Sequence, residues 1–117
     1  MKDKQQTYYF DHNATTPISP EVAKSIEPYI NELYGNPSSG YYIGRQTRDR
    51  IETARVSVAK YFNMKPEGIY FTSSGSEADN MIIKGVAYAN KNKGNHIITT
   101  KIEHHAVLHT CHYLESL

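Results

Sequence analysis

The run Ser73-Ser74-Gly75-Ser76-Glu77 combines small hydroxyl residues, one glycine and an acid. Such a run suits a junction between a strand and a helix. Glycine lets a ligand approach the backbone, and hydroxyls supply hydrogen-bond donors. The first N–H groups of a helix have no internal acceptor and lie at the positive end of its dipole. An anion is the natural guest, phosphate above all. Plain helix capping explains the same residues, since Ser76 with Asp79 and Ser74 with Glu77 both fit the capping-box spacing. Both readings stand on local sequence. The run is neither a Walker loop nor a G-x-G-x-x-G fingerprint, because the Gly and Lys spacings those require are missing.

A second candidate is Glu103-His104-His105, which follows a β-prone stretch. The carboxyl end of a parallel strand is where α/β proteins place ligands. His104 there could stack on a ring or exchange protons; an exposed or capping role is the plainer alternative. His105, His109 and His112 are spaced i, i+4 and i+7, along one side of a helix. Imidazoles so placed can hold a transition metal. No H-E-x-x-H pattern accompanies them, so no metal is assigned and adventitious binding is the favoured reading. Cys111 falls on the apolar side of the same segment and reads as a small core residue rather than a nucleophile.

These residues need elements to hold them. Ser19-Pro20-Glu21 is a helix start, with a hydroxyl cap, Pro at the first helical position and an acid near the dipole. Val22, Ile26, Ile30 and Leu33 continue at helical spacing, with a kink or break expected at Pro28. Gly35 to Gly40 is a turn-rich loop, as is the polar stretch Asp11 to Pro17. A second helix is expected over 45–62, with Ile51, Ala54, Val58 and Phe62 on one face. Strands are expected at Ile69–Thr72 and His96–Thr100. Helices should run from about Ser76 to Asn90, burying Ile82, Ile83, Val86 and Ala87, and through the last segment. Strand, helix, strand, helix implies α/β architecture with a parallel sheet. Two strands do not complete such a sheet, which needs neighbours and helices on both faces.

The bulk numbers agree with a soluble globular protein. The 117 residues predict one domain, hydrophobic residues are 38% and charged residues 21%, and net charge is +1. Nothing there favours nucleic acid or an anionic membrane. Arg45, Arg48, Arg50 and Arg55 cluster, but Asp49 and Glu52 lie among them, as on a solvated helix face. A single Cys excludes an internal disulfide and fits a reducing cytoplasm. Met1 to Gln6 has no apolar run behind it to act as a secretory leader, and no stretch is long enough to span a bilayer.

Six motifs occur in order: Asp11-x-Asn13-Ala14-Thr15-Thr16-Pro17, Gly35-Asn36-Pro37-Ser38-Ser39, Phe71-Thr72-Ser73-x-Gly75-Ser76-Glu77, Asn80, Ile98-Thr99-Thr100 and Glu103-His104-x-Ala106-Val107-Leu108. Together they resemble the opening third of class V aminotransferase-fold enzymes, most closely the cysteine desulfurases, from about Tyr9 onward. The resemblance implies a fold-type I pyridoxal-phosphate enzyme. Residues 1–40 would be its N-terminal arm and helix, and 41–117 the start of the large α/β cofactor-binding domain with its parallel or mixed sheet. It implies that Gly75 and Ser76 bind the phosphate of pyridoxal 5'-phosphate. His104 would stack on the cofactor ring and relay protons, and Asn13, Ala14 and Thr15 would lie on the substrate side. The implied reaction converts L-cysteine to L-alanine and passes sulfur to an enzyme persulfide. The implied setting is a cytoplasmic homodimer that serves a sulfur acceptor or iron-sulfur scaffold protein.

Two departures stand out. The family often carries His two residues after the Ser38-Ser39 pair, where this chain has Tyr41. The lysine that holds the cofactor, in a Ser-x-His-Lys motif, and the sulfur-accepting Cys have no counterpart among these residues. The chain is therefore expected to be part of a longer enzyme and inactive alone. The alternatives are another class V enzyme, such as a selenocysteine lyase or aminotransferase, and a stand-alone module that binds phosphate or metal without catalysis.

Overall fold

The computed structural model describes residues 8–117. The leader reading at Met1 to Gln6 lies outside them. The chain divides into two units, Met1–Pro66 and Glu67–Leu117.

In the first unit, the polar stretch closes into a turn. The Ala14 and Thr15 N–H groups donate to the Asp11 carbonyl at 3.1 and 3.4 Å. The Tyr9 hydroxyl donates to the same carbonyl at 2.7 Å and lies 3.2 Å from Thr15 Oγ1. The Tyr9 ring also meets His12 edge-on, 5.1 Å between centres.

Helix α1 spans Pro20–Asn31. Ser19 caps it by accepting the Val22 N–H at 3.3 Å, and Pro20 occupies the first helical position. The helix is not broken at Pro28. It continues to Asn31 and ends there, where Glu32 and Leu33 both donate to the Pro28 carbonyl. Proline removes the N–H that would reach the Lys24 carbonyl but keeps its own carbonyl as an acceptor.

Helix α2 spans Tyr42–Tyr61 and starts without a side-chain cap. The preceding loop packs onto it instead. A Cβ at Gly44 would sit 2.6 Å from the Asn36 carbonyl oxygen, and one at Gly35 would sit 2.6 Å from Ile43 Cγ2. Arg45 Nη1 also donates to the Gly40 carbonyl. At its far end, Asn63 takes a left-handed φ of 52°. Met64 N–H reaches the Ala59 carbonyl at 2.8 Å, and Asn63 N–H reaches that of Lys60 at 3.2 Å. This is the Schellman ending, with Asn in the place glycine usually takes.

In the second unit, helix α3 spans Gly75–Ala89 and helix α4 spans His105–Glu115, and the two pack on each other. Lys84 Nζ sits 4.7 Å from the centre of the Tyr113 ring. A hydrogen bond with Tyr113 holds the Tyr88 hydroxyl above its usual titration range. A short 3-10 turn at Pro66–Gly68 lies where the units divide.

No strand pairing forms among the described residues, either at 69–72 or at 96–100. A parallel strand exists through hydrogen bonds to a neighbour, and these two segments do not serve as each other's neighbour. The expected burial on α3 is met in part, with Ile83 and Ala87 half-buried. Ile82 and Val86 are each 59% exposed. On α2, Ala59 is buried, whereas Phe62, the residue that caps its far end, is exposed.

Candidate functional site

The α3 N-terminus settles which serine caps. Ser74 is the N-cap, and its Oγ accepts the Glu77 N–H at 3.2 Å. The Glu77 carboxylate turns back to the Ser73 N–H at 2.6 Å and the Ser73 hydroxyl at 2.7 Å. Those bonds, the hydroxyl first and the backbone second, hold its carboxyl below the usual carboxylate range. The alternative pair, Ser76 with Asp79, lies inside the helix.

Capping therefore uses one of the orphan donors and leaves others. Among the described residues, the Gly75 and Ser76 N–H groups have no acceptor, and the Ser76 hydroxyl has no partner. Ser76 does accept at its carbonyl, from Asn80 Nδ2 at 3.0 Å. Gly75 is not required by the fold around it. Its φ is not positive, and a Cβ built there meets nothing within 4 Å. The space that a side chain would fill is open to a ligand. Two N–H groups, a hydroxyl and the positive end of a helix dipole are the features an anion could use there.

His104 is the N-cap of α4. Its Nδ1 accepts the Ala106 N–H at 3.1 Å. An accepting Nδ1 places the proton of the neutral ring on Nε2. Ser76 and His104 border one depression of about 450 Å³, with Asn80, Lys84 and Thr110 on its walls. The structure thus brings together the two α3 and α4 ends that the sequence singled out separately. Asn13, Ala14 and Thr15 belong to the first unit, exposed in the turn closed by Tyr9.

The three histidines of α4 divide. The His105 and His109 rings lie 5.2 Å apart, tilted by 35°. His112 Nδ1 turns to Glu115 Oε2 at 3.3 Å. No group of three or more His, Cys, Asp or Glu among the described residues is arranged to hold a metal. Cys111 is a half-buried free thiol. No helix of the described residues is long and apolar enough to cross a membrane.

Sequence reasoning placed Gly35 in the turn-rich loop but missed Gly44, whose absent side chain lets that loop meet α2. It also missed Tyr9, whose hydroxyl closes the turn at Asp11 to Thr15.

Residues 8–117 match the family model described as aminotransferase class-V. The chain is 53% identical over 109 residues to a protein of Dictyoglomus turgidum named cysteine desulfurase IscS, covering 93% of this chain and 28% of that protein. It is 50% identical over 115 residues to a protein of the same name from Methanosarcina thermophila, covering 98% of this chain and 28% of that one. A solved structure titled NifS-like protein superposes with a TM-score of 0.85 at 42% identity, covering 92% of this chain and 30% of that one. The chain thus spans 28% of the length of these two curated relatives.

Proposed function

This chain belongs to the aminotransferase class-V family, and from that premise we propose that the protein carrying it is a pyridoxal 5'-phosphate-dependent cysteine desulfurase. The relatives that bear that name support the reading. The observation that carries it is the open end of α3. Gly75 and Ser76 offer two unclaimed N–H groups and a hydroxyl, around a glycine that the fold itself does not need.

These residues fit the phosphate of the cofactor. Gly75 and Ser76 would hold it through backbone N–H groups and the Ser76 hydroxyl, with the α3 dipole adding attraction. His104 would lie against the ring, its Nδ1 tied to Ala106 N–H and its Nε2 carrying the proton available for exchange. Asn13, Ala14 and Thr15 would line the substrate side, held in shape by the Tyr9 hydroxyl. The bound cofactor supplies an electron sink. L-Cysteine is the substrate, L-alanine the product, and the sulfur leaves as a persulfide of the protein for an acceptor or iron-sulfur scaffold protein.

In the same reading, residues 1–40 are the arm and first helix, and 41–117 open the large domain. The segments 69–72 and 96–100 become strands of a parallel or mixed sheet when its other strands are present. The open faces of Ile82 and Val86 support that reading, since a sheet would cover them. The assembly is a cytoplasmic homodimer.

The test is performed on the full-length protein with L-cysteine as substrate. Alanine and sulfide should form in equal amounts under reducing conditions, and cofactor retention should fall sharply in a Gly75→Pro variant. Full retention in that variant would remove the phosphate role of the α3 end. A keto acid product in place of alanine would reassign the reaction to transamination.

A further inference from the structure

Tyr8, Tyr9 and Phe10 are consecutive aromatics, yet they are not equivalent. Tyr8 and Phe10 are 69% and 90% exposed, whereas Tyr9 is 48% exposed and turns back over the Asp11–Thr15 turn. His12 meets its ring edge-on, 5.1 Å between centres. The backbone already contributes its own closure, because the Ala14 N–H reaches the Asp11 carbonyl at 3.1 Å. Turn closure alone therefore does not account for the Tyr9 hydroxyl.

The destination of its proton does. A phenol has one proton to give. The Asp11 carbonyl can only accept, and it takes that proton at 2.7 Å. The 3.2 Å contact between Tyr9 Oη and Thr15 Oγ1 then runs one way: Thr15 donates and Tyr9 accepts. The Thr15 hydroxyl has its own proton committed, and its oxygen has no other partner among the described residues. It is left as an exposed acceptor.

We infer that Tyr9 is a positioning residue for the substrate: it fixes the Thr15 hydroxyl as an acceptor for the amino group of L-cysteine and not for its carboxylate. An N–H of the substrate matches the free lone pairs, in a bond that is stronger when the nitrogen is charged. A carboxylate has no proton to give and would meet only lone pairs. This role rests on the proposed placement of Asn13, Ala14 and Thr15 on the substrate side; the direction of the Tyr9–Thr15 bond does not.

The experiment uses the full-length holoenzyme with L-cysteine. Tyr9→Phe should raise KM about tenfold while kcat stays within about twofold. Tyr8→Phe should leave both within about twofold. Thr15→Val should raise KM at least as much as Tyr9→Phe, and adding Tyr9→Phe to it should change KM by no more than about twofold, since Tyr9 acts through Thr15. Full additivity overturns that route. L-Alanine, which has the amino group, should inhibit Tyr9→Phe about tenfold more weakly than wild type, and 3-mercaptopropionate, which lacks it, should inhibit both equally. The reverse order overturns the amino-group assignment. A merely structural role would lower the melting temperature and the active fraction and leave KM unchanged. An unchanged KM in Tyr9→Phe beside a raised KM in Thr15→Val overturns the role of Tyr9 and leaves the substrate side in place. Unchanged KM in both, with alanine and sulfide still formed, overturns the substrate-side placement and this role with it. Neutron diffraction of the full-length protein reads the bond without turnover. A Thr15 deuteron on the line to Tyr9 Oη supports the assigned direction, and one pointing elsewhere overturns it.

Discussion

Helices α1 and α3 begin almost alike. Each has a serine N-cap whose hydroxyl accepts the N–H three residues on, and each has a glutamate in the first turn. Each glutamate is held below the usual carboxylate range. Glu21 is held first by its own backbone N–H and then by the Ser19 hydroxyl; Glu77 is held by the Ser73 hydroxyl and N–H. They differ at the first helical residue. Pro20 has no N–H to offer, so capping nearly completes the α1 end. Gly75 keeps its N–H and leaves the space beside it empty. A capped helix end is therefore not a closed one. Whether it can also bind an anion rests on the first-turn donors that the cap does not use.

This comparison can be broken most directly by making α3 resemble α1. Ser74 has the extended backbone that must precede proline, with φ −163° and ψ 163°. Gly75→Pro should leave the helix folded while lowering phosphate or cofactor affinity about 100-fold, through one lost charge-assisted bond and the space filled. Equilibrium dialysis of the full-length variant checks this, with the melting temperature as the control for folding. Ser76→Ala removes only the hydroxyl and should weaken the same binding about tenfold with no loss of stability.

Removing the caps should affect the two helices equally. Ser19→Ala and Ser74→Ala should each cost about 1 kcal/mol in denaturant unfolding. A far larger cost at Ser74 would mean that the α3 end carries a structural load absent from α1. The smallest effect is in the pH dependence. Both carboxyls have lowered pKa values in the folded chain, so each stabilises it fully above the unfolded-state value. That contribution is lost as the pH falls through the folded value. Thermal melts taken through and below the usual carboxylate range should record the decline, and Glu77→Gln should flatten its part of it.

The four helices were legible because their signals are local. Ser19-Pro20-Glu21 marks the start of α1, and Ser74 with Glu77 marks that of α3. The expected 45–62 span agrees with α2 at Tyr42–Tyr61 to within a turn. The strands were legible only as composition. Ile69–Thr72 and His96–Thr100 are β-prone, but a strand needs partners that these two segments do not give each other. The apolar residues of α3 were legible only in part: spacing marked Ile82, Ile83, Val86 and Ala87 for burial, and Ile83 and Ala87 are half-buried while Ile82 and Val86 stay exposed.

At the candidate site, residue types and order were enough to mark Gly75, Ser76 and His104, because capping chemistry and anion chemistry draw on the same short, small-residue segments. Those types could not rank the two uses, since Ser74 and Ser76 both had an acid at the right distance. Tertiary structure placed the cap on Ser74, left the Gly75 and Ser76 donors unclaimed, and brought Ser76 and His104 to one depression through the packing of α3 on α4. It also separated three histidines that helical spacing treats as one face, pairing His105 with His109 and turning His112 to Glu115. The physical reason is common to all of these. Spacing along a helix determines which side a residue occupies, whereas the partner that a side chain finds there depends on which neighbouring groups the fold brings within reach.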